Sequence, residues 1–171
     1  MTWTFPAPDL VDGPLTGDDR PMLVGYFAWQ RSVLANICAG LTADQLVLRP
    51  LPSSTLSLLG LVRHLAKVER TWFRIRVPAS DLEPLFDPLL GKDFDFEATV
   101  ADEAPADVER WYDECRLADE AVAGLPFDHT LEVHGETWSL RMVYVHMIGE
   151  YSRHNGHADL LRQAIDGVTG R

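Results

Sequence analysis

The residues of this sequence that could bind a metal ion are concentrated near the carboxyl end, in the segment HMIGEYSRHNGH. His146, Glu150, His154 and His157 follow one another at intervals of four, four and three residues. Because a helix turns by about 100° per residue, these four side chains lie within about one quarter of its circumference. Apolar residues border the same face, so we expect it to point into the protein. Buried imidazoles and carboxylates need partners, and a divalent cation would provide one.

Only neighbouring members of this stripe can share one ion. His146 and His154 are about 12 Å apart along a helix axis, which is too far for a single ion. The pairs that remain are His146 with Glu150, Glu150 with His154, and His154 with His157. His64 supplies a third ligand, because it interrupts the apolar run LLGLVRHLA and should also point inward. Two imidazoles and a carboxylate leave coordination positions open, as in a catalytic site, and the absence of an HExxH motif excludes the zincin arrangement.

Four segments with helical periodicity must position these residues. The predicted helices span residues 18–40, 56–74, 105–124 and 139–167. Thr16 or Asp18 can cap the first helix, the second must end before Pro78, and Ser139 can cap the last. The segment LEVHGETWS, just before the last helix, alternates around a glycine and predicts a small hairpin.

The connections between these helices predict the fold class and the domain organisation. Residues 77–104 form a long crossover between the second and third helices, and connections of this length are usually functional or mobile. We therefore predict an all-α four-helix bundle, in which metal sites are built from residues that face the interior. The length fits a single domain, residues 1–171, with a Pro-rich arm at residues 1–17.

The negative charge of the chain is confined to one segment. The formal net charge is −11, and residues 80–114 hold twelve acidic and two basic residues, which account for −10 of it. We expect a solvated acidic loop leading into the third helix, with a lid or an interaction surface as the alternative. The overall acidity argues against a nucleic-acid partner, whose phosphates require a basic face.

Cysteine usage and hydropathy indicate the compartment. Cys38 and Cys115 are too few for a disulfide framework and are expected to be small buried apolar residues. No leader-like segment opens the sequence, and no apolar run approaches the roughly 18 residues that span a bilayer. We therefore predict a cytoplasmic protein with no membrane partner.

Two segments, RPLPSSTLSLLGLVRHLAKVERTWF and HMIGEYSRHNGHADLLRQAIDG, resemble those of the DinB/YfiT-like superfamily of small metalloproteins, and most closely the branch common in actinobacteria. The resemblance extends from the first helix to Gly167. It implies an up-down-down-up bundle with His64, Glu150 and His154 as the metal ligands. Many members carry His at the position of Glu150. In carrying Glu there, the sequence resembles the mycothiol-dependent isomerases. Zinc is the expected ion, while a carboxylate ligand also admits nickel, manganese or iron.

The resemblance also implies a function. Its better understood members bind a low-molecular-weight thiol at the metal, so that the thiolate attacks an electrophile. We therefore expect a metal-dependent thiol transferase or isomerase that uses mycothiol or a similar thiol in detoxification or stress response. His157 is the candidate for orienting a ligand beside the metal. Arg63 and Arg153 are candidates for pairing with a carboxylate on the substrate or cosubstrate.

Two other functions are compatible with the same residues. One is a metal-assisted hydrolase, in which the ion activates water. The other is a non-catalytic protein in which the cluster binds a metal or a small ligand. A homodimer is also expected, because the family commonly pairs and because the first helix carries Tyr26, Trp29 and Val33 outside its core stripe.

Overall fold

A computed structural model describes residues 2–169, most of which are helical. The long helices are α1 (Asp19–Cys38), α3 (Leu58–Glu69), α5 (Ala104–Val122) and α6 (Leu140–Asp166). Two short helices, α2 (Ala43–Leu46) and α4 (Phe94–Glu97), lie in the connections. A small antiparallel sheet pairs β1 (Thr130–Val133) with β2 (Glu136–Ser139). The four predicted long helices and the predicted hairpin are thus confirmed.

Local capping signals fix where the ligand-bearing helices begin and end. The Ser57 hydroxyl accepts a hydrogen bond from the Gly60 N–H at 3.1 Å and starts α3. The Ser139 hydroxyl accepts one from the Met142 N–H at 3.2 Å and starts α6. Gly167 ends α6 with a φ of 78°, a left-handed conformation that glycine adopts without strain.

The second predicted helix continues past α3 as a wider π-helical segment, Arg70–Arg76. This segment buries Trp72 and Phe73 against the core. Trp138 of β2 stacks on Trp72 with ring centroids 5.1 Å apart, so the hairpin covers this end of the helix.

The long helices pack in pairs, α1 against α6 and α3 against α5, and α3 also contacts α6. A buried polar network joins all four at Glu69 of α3, which is fully buried. Arg31 of α1 donates to both carboxylate oxygens of Glu69, at 2.8 and 2.7 Å. The Tyr151 hydroxyl of α6 donates to Glu69 Oε1 at 2.7 Å and accepts from Trp111 Nε1 of α5 at 2.9 Å. This network holds α3 against α6, the two helices that carry the candidate ligands.

The acidic segment is not uniformly solvated, and that expectation is wrong for three of its carboxylates. Asp95, Asp107 and Glu114 are each at most 2% exposed. Buried carboxylates require partners, and bases in and after α3 supply them. Lys67 Nζ lies 3.0 Å from Asp95, and Arg63 Nη1 lies 2.9 Å from Asp107. The charge therefore fastens the crossover and α5 to α3.

The segment before α1 is anchored to the rest of the protein through Phe5, which is buried. The Phe5 N–H donates to the Leu41 carbonyl at 2.8 Å, and the Phe5 carbonyl accepts from the Gly40 N–H at 2.9 Å. Within residues 2–169, none of the helices has the length and apolar character needed to cross a membrane.

Candidate metal centre

Three of the predicted ligands converge in the structure. His64 of α3 and Glu150 and His154 of α6 each offer one ligand atom, and these atoms all lie within 4.8 Å of one another. Glu150 Oε2 is 3.5 Å from His154 Nε2 and 4.0 Å from His64 Nε2. The one-turn spacing on α6 and the inward position on α3 thus bring two imidazoles and a carboxylate to one point.

The geometry of these atoms fits a single divalent ion. Ligand atoms at about 2.0–2.2 Å from a tetrahedral ion are about 3.4 Å from one another. The distance between Glu150 and His154 is already close to that value, and small side-chain rotations of His64 would shorten the other. His64 Nε2 is moreover buried without a hydrogen-bond partner among residues 2–169. A buried nitrogen facing a carboxylate in this way is suited to a ligand bond.

The opposite nitrogen of His64 is held by a carboxylate from the crossover. His64 Nδ1 lies 2.8 Å from Asp95 Oδ2, and Lys67 Nζ lies 3.0 Å from the same oxygen. Burial by itself would raise the pKa of Asp95, but the hydrogen bonds from His64 and Lys67 outweigh it, so the pKa is lowered. Asp95 is therefore a carboxylate, and in the tautomer of His64 that carries its proton on Nδ1 it accepts a hydrogen bond from that nitrogen.

Helix α4 also covers the ring of His64. Phe96 stacks on the imidazole with centroids 4.3 Å apart and an interplanar angle of 22°. Helix α4 can approach α3 this closely because residue 60 is glycine. A Cβ at Gly60 would lie 2.8 Å from the Phe96 carbonyl oxygen, closer than such atoms approach.

His154 is in the protonation state that metal binding requires. Burial, and then the nearby His64, lower the pKa of His154 to about 4. The imidazole is therefore neutral at physiological pH, and a neutral imidazole is a metal ligand.

The other two histidines of the stripe lie beside this group. His146 packs against Trp72, with centroids 4.5 Å apart, and against Trp138 at 5.6 Å, and burial lowers its pKa. The His157 ring lies 5.5 Å from that of His154. Its Nδ1 is buried without a hydrogen-bond partner within the described part of the chain.

The two arginines that flank the ligands in sequence have different surroundings. Arg63 is buried, and its guanidinium donates to the Asp107 carboxylate at 2.9 Å and to the Asp95 carbonyl at 3.1 Å. These donors thus serve contacts within the protein. Arg153 is exposed, and its positive charge contributes to lowering the pKa of His154.

Sequence reasoning missed Asp95, Lys67 and Phe96. In the sequence, Asp95 is one of twelve acidic residues in a charged segment, although it stands between two aromatic residues in FDFE. That context, an acid flanked by aromatic residues, is the only local signal of its burial. Lys67 follows His64 by three residues, so it lies on the same side of α3.

The raised pKa values of the two cysteines argue against either of them as a reactive thiol. Burial raises the pKa of the Cys38 thiol to about 12, and burial followed by the neighbouring Glu69 raises that of Cys115 well above its usual value. The expectation that both are small buried apolar residues agrees with Cys38, which is buried, whereas Cys115 is half-buried.

Comparison with known proteins gives one result. A family model described as Mycothiol-S-transferase matches residues 22–167. No curated protein and no solved structure matches the chain. The matched range contains α3, the crossover and all of α6, so it includes His64, Asp95, Glu150 and His154.

Proposed function

Because the chain belongs to the mycothiol S-transferase family, we propose that it is a metal-dependent enzyme that joins a low-molecular-weight thiol, mycothiol or a close analogue, to a small electrophile. The observation that carries the proposal is the convergence of His64, Glu150 and His154, with the buried Nε2 of His64 facing the carboxylate. Three ligands leave coordination positions for a substrate, as catalytic sites require.

The proposed reaction needs a thiol from outside the chain. Cys38 and Cys115 are both protonated at neutral pH because of their raised pKa values. When bound, a divalent cation keeps a coordinated thiol deprotonated, whereas a free thiol with a pKa near 8.5 is mostly protonated at neutral pH. The thiol sulfur then forms a bond to the electrophilic carbon, the leaving group departs with the bonding electron pair, and the thiol proton passes to solvent.

The chain's own residues would hold and orient the reactants. His64, Glu150 and His154 supply the ligand atoms. Phe96 covers the ring of His64 and limits access of water from that side. Exposed Arg153 can pair with an anionic group on a substrate, and His157 lies where a hydrogen bond could orient a bound molecule.

Several finer expectations belong to this proposal. They are the up-down-down-up order of the four long helices, a single domain with a long crossover between the second and third of them, zinc as the ion, a role in detoxification, a homodimer and a cytoplasmic location. Each follows from the sequence and the family resemblance. The termini of the proposed domain, residues 1 and 171, lie outside the described residues.

The experiment combines metal analysis with a thiol assay. We expect the purified protein to carry one divalent ion per chain and to conjugate an activated aryl chloride to mycothiol. His154→Ala should lose both properties, because it removes a ligand. His134→Asn is the matched control: this histidine is exposed at the hairpin turn with a φ of 52°, which asparagine tolerates.

The outcomes separate the proposal from its alternatives. Bound metal without any thiol-dependent turnover would contradict a transferase and favour a metal-binding protein. Turnover of an ester or amide with no thiol added would favour a hydrolase. A protein that binds no divalent ion would refute the metal site itself.

A further inference from the structure

We infer that Asp95, the buried carboxylate of the crossover helix α4, is a positioning residue that aims His64 at the metal. The inference rests on the proposed function, because it requires that His64 be a ligand. A residue of the acidic crossover, outside the two ligand-bearing helices, would then help to determine the affinity for the metal.

The side-chain geometry is that of a carboxylate–histidine–metal triad. Asp95 Oδ2 lies 2.8 Å from His64 Nδ1, while Nε2 on the other side of the ring faces Glu150. A hydrogen bond from Nδ1–H fixes the tautomer in which Nε2 carries the free lone pair. It also fixes the rotation of the ring and makes Nε2 more basic.

Asp95 itself is held in place from several directions. Its side chain is 1% exposed, and Lys67 Nζ lies 3.0 Å from the oxygen that contacts His64. Its carbonyl oxygen accepts a hydrogen bond from Arg63 Nε at 3.1 Å. The next residue, Phe96, stacks on His64 and packs its carbonyl oxygen against Gly60. These contacts fix both the main chain and the carboxylate, as a supporting residue in a metal site requires.

The position of Asp95 is not explained by charge pairing with Lys67 alone. Lys67 is about one-third exposed, and an ion pair with so exposed a lysine contributes little to stability. Taking the carboxylate out of water is costly, and the lysine does not require it. A hydrogen bond to Nδ1 of His64, whose side chain is 16% exposed, does require an acceptor inside the protein. The site, more than the stability of the fold, accounts for this burial.

The test compares metal affinity in three variants of the full chain. Asp95→Ala removes the acceptor, and Asp95→Asn keeps its shape and loses its charge. Asp93→Asn is the matched control, since Asp93 is exposed two residues earlier in the same segment. The dissociation constant for Zn²⁺ is measured by chelator competition, the absorption spectrum of the Co²⁺ form reports ligand geometry, and thermal unfolding of the metal-free protein reports stability.

We expect Asp95→Ala to weaken metal binding by about 10–100-fold, Asp95→Asn by a smaller factor, and Asp93→Asn not at all. The Co²⁺ bands should change in both Asp95 variants. If Asp95→Ala does not fold, Asp95→Asn decides alone, with a loss of affinity of at least about threefold expected. Affinities and spectra equal to those of Asp93→Asn would overturn the inference, even if the metal-free variants were less stable.

The result is independent of the thiol assay. If the unaltered protein binds no metal, both the proposed function and this inference are wrong. If it binds metal and the Asp95 variants bind equally well, only the inference is wrong. If the Asp95 variants bind more weakly while no thiol activity is found, the inference stands and the transferase proposal does not.

Discussion

Replacing Tyr151 by phenylalanine would remove one hydroxyl group from the centre of the protein and leave the aromatic ring in place. The ring is fully buried, and its hydroxyl donates to Glu69 at 2.7 Å and accepts from Trp111 at 2.9 Å. Glu69 follows His64 on α3, and Tyr151 follows Glu150 on α6. The substitution therefore removes a hydrogen bond between the two helices that carry the candidate ligands.

The magnitude follows from the partners that remain. A hydrogen bond to a charged acceptor contributes about 1.5–3 kcal/mol, and the Trp111 N–H would be left buried without its acceptor at a cost of about 1–3 kcal/mol. Arg31 still binds both oxygens of Glu69, so the carboxylate stays paired. We expect a loss of about 3 kcal/mol in the free energy of unfolding. For a chain of this size, that loss lowers the Tm by roughly 6–12 °C.

The assay is urea denaturation followed by circular dichroism, with the slope of the transition as a check on two-state unfolding. Tyr26→Phe serves as the control, because Tyr26 is 41% exposed. Its effect should stay within about 0.5 kcal/mol. A Tyr151→Phe variant within about 1 kcal/mol of the parent would refute the reasoning, since the hydroxyl would then not be a net contributor.

Three further predictions concern the close helix contact, the cysteines and the ion. Gly60→Ala should lower the Tm and weaken zinc binding, because the added Cβ would lie 2.8 Å from the main-chain oxygen of Phe96. The control is Gly149→Ala, whose Cβ meets nothing within 4 Å and which should raise the Tm. An unchanged Tm and zinc affinity in Gly60→Ala would contradict the close contact. Dithionitrobenzoate at pH 8 should leave Cys38 and Cys115 unmodified in the native protein and modify both after denaturation; with a pKa of about 12, only ~0.01% of Cys38 is thiolate. Rapid native labelling would contradict the raised pKa values of the two thiols. Removing the ion with a chelator should lower the Tm. Adding the ion back at 1,000 times its dissociation constant should raise the free energy of unfolding by about 4 kcal/mol. An unchanged Tm would argue against a contribution of the metal to stability.

The parts of the fold that the sequence predicts are those set by local chemistry. Ser139 marks the start of α6 because a hydroxyl at a helix N-terminus satisfies nearby N–H groups. The ligand stripe on α6 is visible because helical periodicity is a property of adjacent turns. The partner of His64 is not visible, because Asp95 is 31 residues away and reaches it only through the tertiary placement of α4.

Arg63 illustrates the same limit at the level of a single side chain. Its position in the sequence, next to His64, suggests a contact with a substrate. In the structure its long side chain instead reaches Asp107 on α5 and the Asp95 carbonyl. Periodicity gives the direction in which a residue leaves a helix, whereas the partner of a long side chain depends on which distant segment packs there.

Several of the contacts that fasten α4 are made by its main-chain atoms. Arg63 binds the carbonyl of Asp95, Arg49 Nη2 binds the carbonyl of Glu97 at 2.7 Å, and the carbonyl of Phe96 rests on Gly60. Every residue type supplies the same carbonyl, so the contact at exposed Glu97 does not depend on its side chain, and the exposed residues 88–93 before α4 make none of these contacts. Substitutions in that exposed stretch can therefore accumulate while Asp95 and the candidate ligands keep their places.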